Sequence, residues 1–450
     1  MINFKHLDQL ERLLHQHDFA MLRKVLIAYH ASDIADFLVT ISPEDAAIIF
    51  RLLPKELGAE TFSFLDSDVQ EQLVRAFQDE ELTHLFSLLQ TDDAVDFLEE
   101  LPANAVNRIL ELTPTHKRRL INQFLQFPPD TAGSIMTSEF IQLKRSMSVA
   151  EALQYIRRHG SPVDTIYTAY VTGEARLLEG VIGVKHLLLS DDDETVADIM
   201  DQHVISVTTH QDQEEVLGVF REYDFFALPV VDEETRLVGI ITLDDILDIA
   251  DEEATEDFER MAAMAPSDRP YLKTSIIQQS RNRFTWLMIL MFSGMLNGMI
   301  LQHYEEAFLM LPILVTFIPM LMDTGGNAGS QSSTLIIRGM ALNEIGFHDF
   351  FRVMRKELGI ASLVGLGLAI MNFLRIYLQY DHQWLIALTV SLALFGIVVF
   401  AKFFGFSLPL LAKKVGLDPA LMAAPLITTF VDTLGLVLYF EVANRLLSLR

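Results

Sequence analysis

The chain has 450 residues, about three times the length of a typical domain, so two or more domains are expected. It carries 61 acidic and 34 basic side chains, a net charge of −27, and so acidic a surface repels phosphate backbones and disfavours nucleic acid as a partner. Because the chain has no cysteine, disulfides, thiolate metal sites and cysteine catalysis are excluded.

The charge is divided unevenly along the chain. Residues 1–270 contain 51 acidic and 21 basic side chains, whereas residues 271–450 contain 10 and 13. Long apolar segments follow Pro270, which explains why the mean hydropathy is +0.28 despite the charge. The first residues lack the layout of a secretory signal, so we expect the acidic half to stay on the synthesis side of a membrane.

Residues 1–131 have Leu and Phe at helical spacing, divided into short segments. Pro54, Pro102 and Pro114 are placed to open successive helices. The pattern predicts an all-α superhelical N domain.

Residues 132–250 contain an internal repeat. Ser134-Ile-Met136 recurs as Asp198-Ile-Met200 at an offset of 64, and residues 180–188 recur as residues 239–247 at an offset of 59. Each copy combines an amphipathic helix, two β-rich runs and a closing helix, which predicts two α/β units over residues 132–195 and 196–250. The pattern resembles a tandem CBS (cystathionine-β-synthase) pair.

The CBS resemblance implies a nucleotide site at a Gly-x-x-Thr/Ser-x-x-Asp element. The second copy matches it with Gly239, Thr242 and Asp245, but the first copy has Gly183 and His186 at the Thr and Asp positions. ATP binding therefore stays an open question at this point.

Residues 251–280 begin with an acidic helix that connects the repeat to the apolar part of the chain. Residues 281–450 then contain apolar stretches long enough to cross a membrane, which takes roughly 20 helical residues. We predict an α-helical transmembrane domain of five spans, near Phe284–Tyr304, Ala307–Arg338 (interrupted), Leu358–Tyr380, Trp384–Ala412 and Pro419–Leu447.

Basic residues set the predicted orientation of these spans. Lys273, Arg281 and Arg283 precede the first span, and the loops at Gln302–Glu306 and Asp381–Gln383 carry no Lys or Arg. By the positive-inside rule, the amino-terminal half is cytoplasmic and the carboxy terminus is outside.

The second and fifth spans contain polar residues that lipid does not tolerate. Gly325, Gly326 and Asn327 lie in a polar stretch and predict local unwinding towards protein or a water-filled path. Asp432 falls about thirteen residues into a helix opened by Pro419. No Lys or Arg is evident within the membrane as its partner, which favours a site for a passing cation.

Thr428 and Thr429 lie four and three residues before Asp432, on the same predicted helix face. In a twofold dimer two copies of Asp432 would converge on one axis, and their charge would suit Mg²⁺ held through its water shell. In the soluble half, crowded carboxylates repel one another, so a divalent cation between them would turn repulsion into attraction.

These motifs resemble the MgtE family of magnesium channels over essentially the whole chain. The motifs are residues 324–331 (TGGNAGSQ), residues 425–429 (PLITT) followed by Asp432, and the acidic helical domain and CBS pair upstream. The resemblance implies a homodimer in the lipid of a bacterial cytoplasmic (inner) membrane, with one pore that imports Mg²⁺. It also implies that residues 251–280 form a plug helix that closes the pore when cytosolic Mg²⁺ is high.

Site residues follow from the resemblance by matching position. The expected pore set is Asp432, Thr428, Thr429, Ala424, Pro425, Gly435, Gly325, Gly326 and Asn327. The expected regulatory Mg²⁺ ligands are Glu60, Asp92, Asp96, Asp212, Glu214, Asp224, Asp245, Asp248, Glu253, Glu256, Asp257 and Asp418. Some family members carry Asn at the Ala424 position, which leaves open the selectivity among Mg²⁺, Co²⁺, Ni²⁺ and Mn²⁺.

Three other functions were weighed. A secondary carrier coupled to Na⁺ or H⁺ would also need an intramembrane acid and a broken helix. A nucleotide-sensing membrane scaffold would use the CBS pair alone. The sequence has no metal-ligand helix motif, nucleophile elbow or phosphate loop, so the chain is not expected to be an enzyme.

Overall fold

The computed structural model describes residues 4–160, 165–267, 271–272 and 274–448. Pro270, at the predicted change of charge, and Lys273, one of the basic residues before the first span, lie outside the described residues. The chain divides into two compact units, residues 1–250 and 251–450, which are described separately below.

The first unit begins with short helices, as the sequence predicted. Helices α5, α9 and α10 start directly after Pro54, Pro102 and Pro114, while the Ser42 hydroxyl caps α4 by accepting from the Asp45 amide. The helices of this region are α1 Phe4–His15, α2 Phe19–Leu26, α3 Ala31–Thr40, α4 Pro43–Leu52, α5 Lys55–Ser63, α6 Ser67–Ala76, α7 Asp79–Leu88, α8 Thr91–Glu99, α9 Ala103–Leu112 and α10 Thr115–Phe124.

The internal repeat folds as two copies of the same three-stranded sheet, which confirms the predicted α/β pair. In each copy the first strand is parallel and the third antiparallel to the middle strand. The strands are β1 Ile141–Lys144, β2 Thr168–Thr172, β3 Leu178–Gly183, β4 Val207–Thr208, β5 Ala227–Val231 and β6 Leu237–Thr242. The helices are α11 Val149–His159, α12 Val184–Leu189, α13 Val196–Ile199, α14 Gln213–Tyr223 and α15 Leu243–Met261.

The two copies exchange their leading segments. Thr137, which precedes β1 of the first copy, forms a β-bridge with Ile240 of the second copy. Asp201, which precedes β4 of the second copy, forms a β-bridge with Val181 of the first. Each copy therefore completes the sheet edge of the other. One hydrophobic core joins the short helices to the second copy, through residues such as Phe97 and Ile241.

The second unit is helical. Its α-helices are α16 Ile276–His303, α17 Glu305–Met310, α18 Ile318–Ala341, α19 Phe350–Gln379, α20 Trp384–Lys414 and α21 Ala424–Leu447. Short 3₁₀ turns at Pro312–Phe317 and Pro419–Met422 precede α18 and α21. Helices α18, α19, α20 and α21 pack around a core that includes Ile397, Val431 and Tyr439.

Among the described residues, four segments are long and apolar enough to cross a membrane, where the sequence predicted five spans. They are Ile276–His303, Phe347–Gln379, Trp384–Lys414 and Pro419–Leu447. The predicted second span differs because its helix, α18, carries the polar run from Asp323 to Ser333 and so does not reach that apolar composition.

Two local predictions in this unit were wrong. The second span is interrupted by the 3₁₀ turn at Pro312–Phe317, whereas Gly325, Gly326 and Asn327 lie inside a continuous helix. The fifth span starts as a 3₁₀ turn at Pro419, so its α-helix begins only at Ala424. Asp432 therefore lies eight residues into α21, about 12 Å along its axis rather than the ~20 Å expected.

Candidate functional site

The polar stretch of α18 packs directly against the turn of α21 that leads to Asp432. A Cβ built on Gly325 would lie 2.8 Å from Val431 Cγ1, and one on Gly326 would lie 3.0 Å from Thr428 Cγ2. Only glycine leaves room for this approach, so the Gly-Gly pair serves helix contact rather than unwinding. Gly325 and Gly326 are buried, while Asn327 is exposed.

Hydroxyl groups beside this contact already have hydrogen-bond partners. Thr428 Oγ1 donates to the Ala424 carbonyl at 2.8 Å, and Thr429 Oγ1 donates to the Pro425 carbonyl at 3.0 Å. Thr433 Oγ1 donates to Asn297 Oδ1 of α16 at 2.8 Å. Gly435 is buried against Met322 of α18 and Ile397 of α20.

The Asp432 carboxylate is different. Its Oδ1 atom is buried and has no hydrogen-bond partner among the described residues. A carboxylate oxygen removed from water without a donor is unfavourable unless a cation or water meets it. Of the predicted pore residues, Asp432 is the one whose side chain has an unused ligand atom of this kind.

A second unsatisfied acid lies in the first unit. Asp92 of α8 is 7% exposed, and its Oδ1 has no partner among the described residues. Burial, and then the negative charges of Asp245, Asp93, Glu139 and Asp96, raise the pKa of Asp92 well above its ordinary value. The structure thus brings predicted regulatory residues from the helical domain and the CBS pair together.

Glu139 in the same cluster already has partners. Although burial acts to raise its pKa, the charge and hydrogen bond of Lys117 and the hydroxyls of Thr91 and Thr137 lower it. Lys117 Nζ lies 2.6 Å from Glu139 Oε1. On the other side of the cluster, Asp245 accepts from Thr242 Oγ1 at 2.5 Å, while Asp92 Oδ1 has no partner among the described residues.

Other predicted regulatory residues are placed apart. Asp212 caps the start of α14 by accepting from the Glu214 amide at 2.9 Å, while Asp224 ends the same 11-residue helix in a left-handed conformation with φ 54°. Twelve residues of helical rise separate them by about 18 Å. Glu60 and Asp248 are exposed on α5 and α15.

Within the second unit, an arginine holds the acidic end of α15, residues 251–261. The Arg260 guanidinium binds both Asp418 and Glu256. Burial, and then the charge of Asp418, raise the pKa of Asp257, while Arg260 and Arg338 act in the opposite direction. Glu253 is half-buried one turn earlier on the same helix.

Within the described residues, no three or more His, Asp or Glu side chains are arranged as a metal-binding group.

Two residues of the predicted ribose element, Gly239 and Thr242, are buried. A Cβ on Gly239 would lie 2.7 Å from both Met136 Sδ and the Thr137 carbonyl, and Thr242 is 1% exposed. A pair of exposed aromatic rings in the CBS pair was not predicted from the sequence. Tyr167 and Phe226 are exposed, with ring centroids 5.7 Å apart. They occupy equivalent places at the repeat offset of 59, a signal that could have found them.

The sequence offered no Lys or Arg as a partner of Asp432 within the membrane, but a buried lysine with a different partner was missed. Lys402 is buried in the middle of α20, at 4% exposure. Its partner is not Asp432: its Nζ lies 3.8 Å from Glu357 Oε2 of α19. A single lysine in the middle of the predicted apolar span Trp384–Ala412 was the signal that sequence inspection could have used.

Comparison with known families agrees with this arrangement. A family model described as a divalent cation transporter matches residues 318–442. A model of the MgtE intracellular N domain matches residues 29–130, and CBS domain models match residues 132–191 and 196–252. Together they define a membrane transporter of divalent cations with an intracellular helical domain and a CBS pair, and not an enzyme.

Relatives of known sequence cover the whole chain. It is 36% identical over 443 residues to the magnesium transporter MgtE of Thermus thermophilus, covering 98% of each chain. It is 29% identical to the Bacillus subtilis protein of the same name, covering 94% of this chain and 97% of that one. The chain belongs to the MgtE family, which confirms the resemblance drawn from its motifs.

A solved structure resembles the first unit. The cytosolic domain of the Mg²⁺ channel MgtE in complex with ATP is 35% identical, with a TM-score of 0.52. The match covers 54% of this chain and 99% of that one. It supports the helical domain and CBS pair as one cytosolic assembly in that relative.

Proposed function

We propose that this protein is a homodimeric Mg²⁺ channel of a bacterial cytoplasmic membrane, importing Mg²⁺ and closing when cytosolic Mg²⁺ binds its acidic domains. The observation that carries the proposal is the buried Asp432 oxygen without a partner, on a helix that packs against the polar stretch of α18. The relatives named as magnesium transporters support Mg²⁺ as the ion. The positive-inside pattern supports a cytoplasmic first unit and an outside carboxy terminus.

Asp432 would act on the ion through charge rather than through a closed cage. Two copies related by a dimer axis would supply two negative charges, matching one divalent cation. Because Mg²⁺ keeps several of its waters, the carboxylates and nearby helix carbonyls would hold the hydrated ion. The neighbouring pore residues would then shape the path: Thr428 and Thr429 keep their hydroxyls within α21, and Gly325 and Gly326 keep α18 close.

The test of this site is Mg²⁺ uptake by Asp432→Ala. We expect uptake to be abolished while the protein still accumulates as a folded dimer in the membrane. Asp381→Asn is the matched control, because Asp381 is exposed in the loop between α19 and α20 and should keep normal uptake. Normal uptake by Asp432→Ala would contradict the proposal.

Closure by Mg²⁺ would use the acids that the sequence marked for regulation. Asp92 and Asp245 face each other closely enough that the charge of one raises the pKa of the other, and Asp92 has an unused buried oxygen. An ion between them would replace repulsion by attraction and hold the helical domain on the CBS pair. At the acidic end of α15, Glu256, Asp257 and Asp418 form a second group where Arg260 already supplies positive charge.

ATP binding by the CBS pair is a second candidate function. A solved relative carries ATP in its cytosolic domain, and Tyr167 and Phe226 offer exposed rings that could stack on a base. Titration with a fluorescent ATP analogue tests it. Tyr167→Ala should lose binding, whereas Leu188→Ala, which removes another exposed apolar side chain of the first copy, should keep it. Equal binding by both variants would contradict a site at these rings.

A further inference from the structure

Three helices of the second unit are joined by a buried polar network. Ser332 of α18 donates from Oγ to Glu357 Oε2 of α19 at 2.5 Å, and Lys402 Nζ of α20 donates to Ser332 Oγ at 3.1 Å. All three side chains are buried, at 1%, 7% and 4% exposure respectively. The network thus links α18, α19 and α20 within one cluster.

This network differs from Asp432 in a way that decides its role. Asp432 has a buried oxygen without a partner among the described residues, whereas no atom of Ser332, Glu357 or Lys402 is in that condition. The positive Lys402 and the negative Glu357 neutralise each other, and Ser332 completes their hydrogen bonds. A satisfied pair of this kind has no need of a passing cation, but removing one partner leaves an uncompensated buried charge.

The network lies where α18 and α20 approach most closely. Gly405 follows Lys402 by three residues, and a Cβ built on it would lie 2.4 Å from the Gly329 carbonyl and 3.0 Å from Ser332 Cβ. Gly329 in turn contacts α21, since its Cβ would lie 2.6 Å from Ile427 Cγ2. A small rotation or shift of α18 at this point would therefore move its glycines relative to the Asp432 turn.

We infer that Lys402 and Glu357 are positioning residues for the transport path: through Ser332 they hold α18 in the register that seats Gly325 and Gly326 against α21. Glycine contacts alone permit sliding, because they lack side chains that interlock. A buried ion pair with one shared hydroxyl has a single favourable geometry, which fixes the register. The inference rests on the proposed role of Asp432 only for its consequence in transport, not for the register itself.

The cysteine-free chain allows the register to be measured directly. A Cβ on Gly326 would lie 3.6 Å from Thr428 Cβ, a separation that suits a disulfide. In full-length protein in its membrane, Gly326→Cys with Thr428→Cys should form a disulfide under mild oxidation. Its extent is read from the loss of labelling by a maleimide polymer on denaturation.

Adding Lys402→Met to this cysteine pair should slow disulfide formation by about tenfold, the order expected for coupled groups in one buried network. Adding Glu357→Met as well should restore accumulation of the folded protein, because no buried ion is left unpaired, but it should not restore the rate, because the apolar pair does not fix the register. Lys413→Met is the matched control, since Lys413 is exposed near the end of the same helix. It should leave the rate unchanged.

Equal rates in all these backgrounds would overturn the inference. So would a double variant that forms the disulfide as fast as the cysteine pair alone, because the register would then not depend on the ion pair. Mg²⁺ uptake by the same 402 and 357 variants without the cysteines should fall in parallel with the disulfide rates. If the disulfide rates follow the expected pattern while Asp432→Ala transports normally, the register stands and only the proposed pore site is wrong.

Discussion

Asp92 shows how one buried acid can make the soluble half respond to ions. Burial and the nearby charge of Asp245 raise its pKa, so the folded protein binds a proton that the unfolded chain releases more readily. The proton and a divalent cation relieve the same unfavourable charge. Under the proposed function, Mg²⁺ bound at this position at neutral pH would therefore stabilise the contact between Asp92 of the helical domain and Asp245 of the CBS pair.

The raised pKa of Asp92 predicts a pH dependence of stability. Its stabilising contribution is fully present below the ordinary Asp pKa of 3.8 and is lost as pH rises through the raised value. In Mg²⁺-free buffer, the free energy of unfolding should fall with pH over that window, by at most about 1.4 kcal/mol per pH unit for this group.

Urea unfolding of the full-length protein, followed by circular dichroism at several pH values, measures this slope. Asp92→Asn should flatten it, because the amide cannot ionise, and should also weaken stabilisation by Mg²⁺. Asp36→Asn is the control, since Asp36 is exposed on α3 and should leave the slope intact. An unchanged slope in Asp92→Asn would show that other groups cause it.

At the scale of elements, the contact between α18 and α21 depends on residues that have no side chain. Gly325 faces Ile397 and Val431, with Cβ distances of 2.5 and 2.8 Å, so any larger residue must push one helix away. These contacts set the packing of the helices beside Asp432, because Val431 is the residue directly before it. A change in helix position at these glycines would therefore also move the proposed site at Asp432.

Gly325→Val should lower Mg²⁺ uptake and destabilise the second unit by about 1–3 kcal/mol, the usual effect of overpacking a core. Gly367→Ala is a fitting control, because a Cβ on Gly367 meets nothing within 4 Å and alanine favours a helix. Uptake assays and thermal unfolding in detergent measure both effects. Wild-type behaviour of Gly325→Val would show that the helices do not approach as closely in the membrane.

The elements themselves were largely predictable from sequence. Pro54, Pro102 and Pro114 mark helix starts, because proline lacks a backbone N–H and the first turn of a helix does not need that donor. The repeat at an offset of 59 predicted the two matching sheets. The start of α21 was missed because Pro419 and Pro425 both suit a first turn, and the sequence does not say which one opens the α-helix.

Site contacts were less predictable, because they depend on helix rotation. Lys402 and Glu357 are 45 positions apart on different helices, and nothing in their spacing pairs them. The burial of Asp92 likewise depends on how α8 packs, whereas its neighbour Asp96 on the same helix is exposed. Motif matching identified Asp432 but could not show that its Oδ1 lacks a donor.

At the scale of the whole molecule, the charge division separates two tasks. The half with 51 acids would sense cytosolic Mg²⁺, and the half with 10 acids would conduct it. Helix α15 belongs to both tasks, because it begins at Leu243 beside Asp245 and ends at Met261 beside Arg260. Binding of Mg²⁺ in the first unit could thus be transmitted along one continuous helix.

Limited proteolysis of the full-length protein tests whether Mg²⁺ compacts the molecule. Residues 92–100 and 245–257 should be protected only when Mg²⁺ is present, since the ion neutralises the acids that otherwise repel. The control is Ca²⁺-free buffer in which Na⁺ replaces Mg²⁺ at the same ionic strength. It separates specific binding of Mg²⁺ from general screening of the charges. Protection that Na⁺ reproduces would contradict specific binding.

The most direct test of a Mg²⁺-closed channel is patch recording of Mg²⁺ current while cytosolic Mg²⁺ is titrated, without a proton or sodium gradient. We predict that current flows in the absence of those gradients, that cytosolic Mg²⁺ closes the channel, and that Asp245→Asn with Asp248→Asn removes this closure. A current that requires a proton or sodium gradient would instead indicate a coupled carrier. A double variant that closes at the same Mg²⁺ concentration as the wild type would contradict the proposed sensor.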